Sequence, residues 1–121
     1  ELIDYCLAKN TNKTISILNE NIYNPDECII ILRTFLSKAK RILKLAIEFE
    51  INKSLNQTIN SAKPPIFWKD KDIIKIQLDK WKPTKIKELI SGINDAELNI
   101  KKNYSNSVLI ITNFILEKSR S

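Results

Sequence analysis

Apolar residues recur three and four positions apart along most of this chain, the spacing that gives a helix one buried stripe. Glu1 to Ala8 reads as a short helix carrying Leu2, Ile3, Cys6 and Leu7, ended by the polar run Lys9-Asn10-Thr11-Asn12. A second helix, from about Asn12 to Ile22, is expected to bury Ile15, Leu18 and Ile22. Asn24-Pro25-Asp26-Glu27 is a strong start signal. Asn caps, Pro fits the first helical position, and acids favour the positive first turn. From there a long helix should run to about Glu50, with Cys28, Leu32, Phe35, Ala39, Ile42, Ala46 and Phe49 inward. Ile29, Leu36 and Leu43 widen that stripe enough for more than one packing partner.

Asn52 to Ala62 is polar and loosely periodic, with room for one short helix. Asp70 to Trp81 reads as a helix with Ile74, Leu78 and Trp81 inward. Pro83 opens the next, which carries Ile86, Leu89, Ile90, Ile93 and Ile100. Steps of about 100° per residue put Glu97 in the middle of that apolar stripe. An unpaired carboxylate there is costly, so a buried or interface salt bridge is expected. Arg33 is the first candidate because its planar fork suits a carboxylate, and Lys101, one turn on, is the local alternative. After a polar loop at Asn103 to Asn106, Ser107 to Lys118 is a final helix apolar on most sides. Such a helix must be surrounded, at the centre of the bundle or against another chain. The tail Ser119-Arg120-Ser121 is expected to fray. The sum is an all-α fold, a helical bundle of about five to six helices, in a single domain over 1–121.

One stretch cannot be helix: Lys63-Pro64-Pro65-Ile66-Phe67-Trp68-Lys69. Each proline ring fixes φ and removes a donor, so adjacent prolines break the chain into a corner. Phe67 and Trp68 stand at that corner with Lys63 and Lys69 on either side. Such rings can stack on an unpaired base, worth ~1–3 kcal/mol without sequence preference, while the lysines neutralise phosphates and make binding salt-dependent. The plainer alternative is that the rings plug the bundle. Trp81, followed by Lys82-Pro83, is in register with Ile74 and Leu78 and reads as core.

Composition narrows the function classes. Hydrophobic residues make up 43% and charged residues 28%, ordinary for a globular domain, and a single Gly (Gly92) leaves little turn chemistry for β-hairpins. The net charge of +6, mostly from lysine, raises the expectation of a polyanionic partner. It also follows from the Ile, Lys and Asn enrichment of an AT-rich genome. The long helix carries a basic face of Arg33, Lys40, Arg41 and Lys44 with Lys38 at its edge, either solvated or facing an acidic patch on a partner. Cys6 and Cys28 lack metal-type spacing and read as buried thiols in a reducing compartment, so the cytoplasm is expected. The longest apolar runs, such as Val108 to Ile111, are far too short to span a bilayer, and no membrane partner is expected. There is no His, no Gly-rich phosphate loop and no carboxylate cluster with metal spacing. No catalytic site, cofactor or metal is therefore expected. The chain starts at Glu1 and contains no Met, and is read as a piece of a longer protein.

Four blocks together resemble one family: Ile31-Leu32-Arg33-Thr34, Lys63-Pro64-Pro65-Ile66-Phe67, Leu78-Asp79-Lys80-Trp81 with Pro83 after it, and Glu97-Leu98-Asn99-Ile100-Lys101. Their order and spacing are similar to the C-terminal domain of the delta subunit of bacterial DNA polymerase III, part of the sliding-clamp loader. The resemblance covers essentially the whole chain. It implies a clamp-loader collar type of bundle and a subunit of a DNA-directed DNA polymerase holoenzyme that itself carries no active site. The implied partners are the other loader subunits, of gamma/tau and delta-prime type, joined through collars into a ring. Primer–template DNA would be met in the full assembly, and the sliding clamp only through N-terminal clamp-binding and AAA+-like modules absent from this chain. The resemblance also puts Phe67 and Tyr104 near the primer–template junction, with Trp68 competing for the role of Phe67. The alternatives from other classes are a free-standing basic nucleic-acid-binding domain and a generic helical adaptor.

Overall fold

The structure, a computed structural model, describes residues 1–120. Seven α-helices follow one another among the described residues: α1 (Leu2–Leu7), α2 (Thr11–Glu20), α3 (Pro25–Asn52), α4 (Leu55–Asn60), α5 (Lys71–Lys80), α6 (Pro83–Lys102) and α7 (Ser107–Ser119). Short 3-10 turns at Trp68–Asp70 and Tyr104–Asn106 lead into α5 and α7. No strand occurs among the described residues, so the fold is all-α.

The spine is α3, 28 residues and about 42 Å long. It starts with a capping box: Asn24 Oδ1 accepts from the Glu27 N–H at 2.8 Å, and Glu27 Oε1 accepts from the Asn24 N–H at 3.2 Å. It ends where Lys53 turns left-handed at φ 60° and donates its N–H to the Phe49 carbonyl. One face buries Cys28, Leu32, Phe35, Ala39, Ile42, Leu45 and Ala46. Against it α6 runs antiparallel, since Arg33 meets Glu97 and Asp26 meets Tyr104. The inward residues of α6 are Ile86, Leu89, Ile93, Ala96 and Ile100. Helices α6 and α7 approach closely at Gly92, where an added Cβ would lie 3.3 Å from the Phe114 ring and would press it outward by a few tenths of an ångström.

Polar joints fix the small helices. The C-terminus of α7 is capped from the α1–α2 junction, where Lys9 Nζ donates to the Lys118 carbonyl and Thr11 Oγ1 to the Ser119 carbonyl, both at 2.8 Å. From α5, Gln77 Nε2 donates to the Asp4 carbonyl at 3.0 Å and Trp81 Nε1 to the Leu7 carbonyl at 2.7 Å. Trp81 thereby satisfies the Leu7 carbonyl, which the six-residue helix leaves open, while Gln77 adds a second donor to the Asp4 carbonyl, which already accepts from the Ala8 N–H.

Four expectations change. In α2 the buried position is Thr14, whereas Ile15 and Ile22 are exposed and Leu18 is half-buried. Thr14 hides its hydroxyl on the Asn10 carbonyl at 2.8 Å, and the helix stops at Glu20 before Ile22. Helix α7 does not lie at the centre of the bundle: Ser107, Ile111, Ile115 and Ser119 face inward while Leu109 is 62% exposed, which leaves a seat against another chain as the open alternative. Its neighbours occupy one side only, so its apolar composition exceeds the surface available to bury it. In α6 the centre of the stripe is Ala96, and Glu97 lies at the margin. The tail departs as well, for Ser119 is helical and buried, while Ser121 lies outside the described residues.

Candidate nucleic-acid interface at the proline corner

After α4 the chain returns along α3 and turns at the prolines, with a cis Lys63–Pro64 peptide. Lys44 Nζ donates to the Lys63 carbonyl at 2.9 Å, which fixes the start of the corner to the spine. Ile66, 7% exposed, is the residue that plugs the core. One residue later the Phe67 carbonyl accepts from the Asp70 N–H at 2.8 Å and opens the 3-10 turn into α5. Phe67 and Trp68 are thus held between a buried anchor and a hydrogen-bonded turn. They do not plug the bundle: they are 58% and 70% exposed, with ring centroids 6.1 Å apart and planes tilted by 41°. Lys69 Nζ lies 5.5 Å from the Trp68 ring centroid, a cation over an aromatic face. Lys63 is also exposed.

Tyr104 stands elsewhere. Its hydroxyl donates to the Asp26 carboxylate at the first turn of α3. Asp26 and Lys44, the two anchor points, are eighteen residues apart on α3, about 27 Å along its axis. The hydrogen bond to Asp26 holds the Tyr104 phenol above its usual pKa, and the same carboxylate repels a phosphate brought near that ring. The structure therefore brings together Phe67, Trp68 and Lys69 and leaves Tyr104 in an acidic setting.

Glu97 meets both candidate partners. Arg33 Nε lies 3.3 Å from its Oε1 and Lys101 Nζ 3.6 Å from its Oε2. The pair is not buried, because the Arg33 side chain is 67% exposed and that of Glu97 27%. A solvent-screened pair of this kind contributes about 0–1 kcal/mol.

No group of His, Cys, Asp or Glu among the described residues is arranged to hold a metal ion. Both cysteines are free and buried, and burial pushes the Cys6 thiol up to about 12. That thiol is not an activated nucleophile. No helix among the described residues is long and apolar enough to cross a membrane. Periodicity alone did not single out Ile66 as the anchor of the corner, nor Leu109 as an uncovered apolar residue. The signal for Leu109 is its place opposite Ile111 and Ile115 on the α7 wheel. No family model matches this chain, and neither a curated protein nor a solved structure matches it.

Proposed function

We propose that this chain is a non-catalytic helical assembly domain, the C-terminal collar of a delta-type subunit of the DNA polymerase III clamp loader. In this reading it works in the cytoplasm in DNA replication, holds the loader ring together during sliding-clamp loading, and turns its proline corner toward the primer–template junction. Support for the family comes from the four sequence blocks. The observation that carries the assembly role is α7, apolar on most sides but covered on one, with Leu109 and Val108 62% and 40% exposed. An apolar flank left open on a small domain is the natural seat of a neighbouring subunit. The exposed pair Phe67 and Trp68 supports the DNA-facing role, and Asp26 beside Tyr104 counts against a phosphate contact there.

The test is co-purification with the gamma/tau- and delta-prime-type subunits from the same source. The folded wild-type chain should capture them, and Leu109→Asp should abolish capture while leaving the helical circular dichroism intact. Failure of the folded wild-type chain to capture any loader subunit sinks the assembly role. That failure favours the second reading, a free-standing basic domain binding nucleic acid directly, for which the observation is a run of unpaired cations on α3.

A further inference from the structure

Between Glu27 and Glu48 the spine α3 contains no acidic residue but five cations, Arg33, Lys38, Lys40, Arg41 and Lys44. The fold uses two of them. Lys38 pairs with Asp4 at 2.8 Å, and Arg33 shares Glu97 with Lys101. Among the described residues Lys40, Arg41 and Lys44 enter no ion pair. They lie within little more than one helical turn, Lys40 and Lys44 being about 6 Å apart along the axis. The Arg41 Nε–H is buried and lacks any acceptor among the described residues, an uncommon state for a guanidinium group. Lys44 ties this turn directly to the corner through the Lys63 carbonyl at 2.9 Å. Acids bracket the run on α3, with Asp26 and Glu27 at one end and Glu48 and Glu50 at the other. The result is a bounded cationic turn of α3, a short track joined to the start of the proline corner at Lys63, five residues before Trp68.

We propose that Lys40, Arg41 and Lys44 carry the phosphodiester backbone of a single-stranded nucleic acid whose bases stack on Trp68 and Phe67. The inference rests on the reading above that the corner meets nucleic acid, and it names which form. A duplex offers an exposed ring only its terminal base pair, whereas every unpaired base has a free face. An acidic protein partner would use the cations but leave the rings idle.

Fluorescence anisotropy with a labelled oligothymidylate of about 12 nucleotides, within the usual single-strand site sizes, tests this on the chain as it stands. Three phosphate contacts predict that log Kobs falls against log salt with a slope of about −2. Lys40→Gln with Lys44→Gln, both at the surface, should make that slope shallower by about 1.4 units. Trp68→Ala should weaken binding about tenfold and leave the slope unchanged. An unchanged slope in the double lysine variant overturns the track, and so does a duplex of equal length binding as tightly as the single strand. If that variant loses capture of loader subunits but keeps oligothymidylate binding, the cations serve an acidic protein face and the proposal is wrong. Wild-type chain that captures the subunits yet binds no oligothymidylate at low salt sinks the track and leaves the assembly role standing. Binding without capture does the reverse.

Discussion

The two tryptophans sit thirteen residues apart, each beside a lysine and near a proline, and they meet opposite fates. Trp81 is 6% exposed, its indole N–H donates to the Leu7 carbonyl at 2.7 Å, and Lys9 Nζ lies 4.1 Å over its ring. Trp68 is 70% exposed, lies tilted beside Phe67, and has Lys69 over its face. The difference is set by what precedes each ring. Trp81 ends α5 in register with Ile74 and Leu78, so the helix itself delivers it to the core. Trp68 follows a proline turn in which Ile66 has already taken the inward position. An aromatic kept in solvent by a rigid turn forgoes the stabilisation that burial gives, which points to a role outside the fold.

The comparison breaks most visibly at Trp81. Trp81→Ala removes a large buried ring and should cost about 3–5 kcal/mol, read as a fall in the denaturation midpoint at unchanged slope. Trp81→Phe keeps most of the apolar contact but strands the Leu7 carbonyl at the end of α1. It should cost about 1–3 kcal/mol from the lost partner alone. Equal stability of wild type and Trp81→Phe would show that the indole bond to α1 contributes nothing. It would also reduce the contrast between the tryptophans to burial.

How much of this was legible in the sequence divides along the same line. Trp81, Ile74 and Leu78 followed from helical spacing, as did the Asn24 cap and the stripe through Leu32, Phe35 and Ala39. Spacing assigns a face whenever large apolar residues outnumber small or polar ones on it. It assigned the wrong face in α2, where Thr14 turns inward because its hydroxyl bonds its own helix. It misplaced Glu97 because Ala96, a small residue, fills the centre of the α6 face. It overfilled α7, since composition says what a helix can bury and not how many neighbours arrive. The break at the prolines was legible, but the direction of Phe67 and Trp68 was not. That direction depends on Ile66 reaching the core first, a tertiary fact with no local signal.

The Glu97 pair gives a smaller effect and tests whether the acid-free run of α3 needs neutralising at its edge. Glu97→Gln removes the carboxylate from Arg33 at 3.3 Å and Lys101 at 3.6 Å, and leaves two more cations unpaired. With Arg33 two-thirds exposed, screening keeps the expected loss to about 0.2–1 kcal/mol in low salt, shrinking as salt is added. A loss above about 3 kcal/mol would mean a desolvated pair, at odds with the exposed geometry.

The smallest expected effect on stability is at Trp68, and it decides the comparison. Trp68→Ala removes a ring that is already 70% exposed, so the stability should change by no more than about 0.5 kcal/mol. Phe67→Ala should be similarly silent in stability. The two separate in binding: the more exposed Trp68, with Lys69 over its face, should carry the larger share of the affinity for single strands. If Trp68→Ala instead destabilises the chain by several kcal/mol, the ring packs in solution as Trp81 does. The corner would then be structural, and the open aromatic platform would not exist.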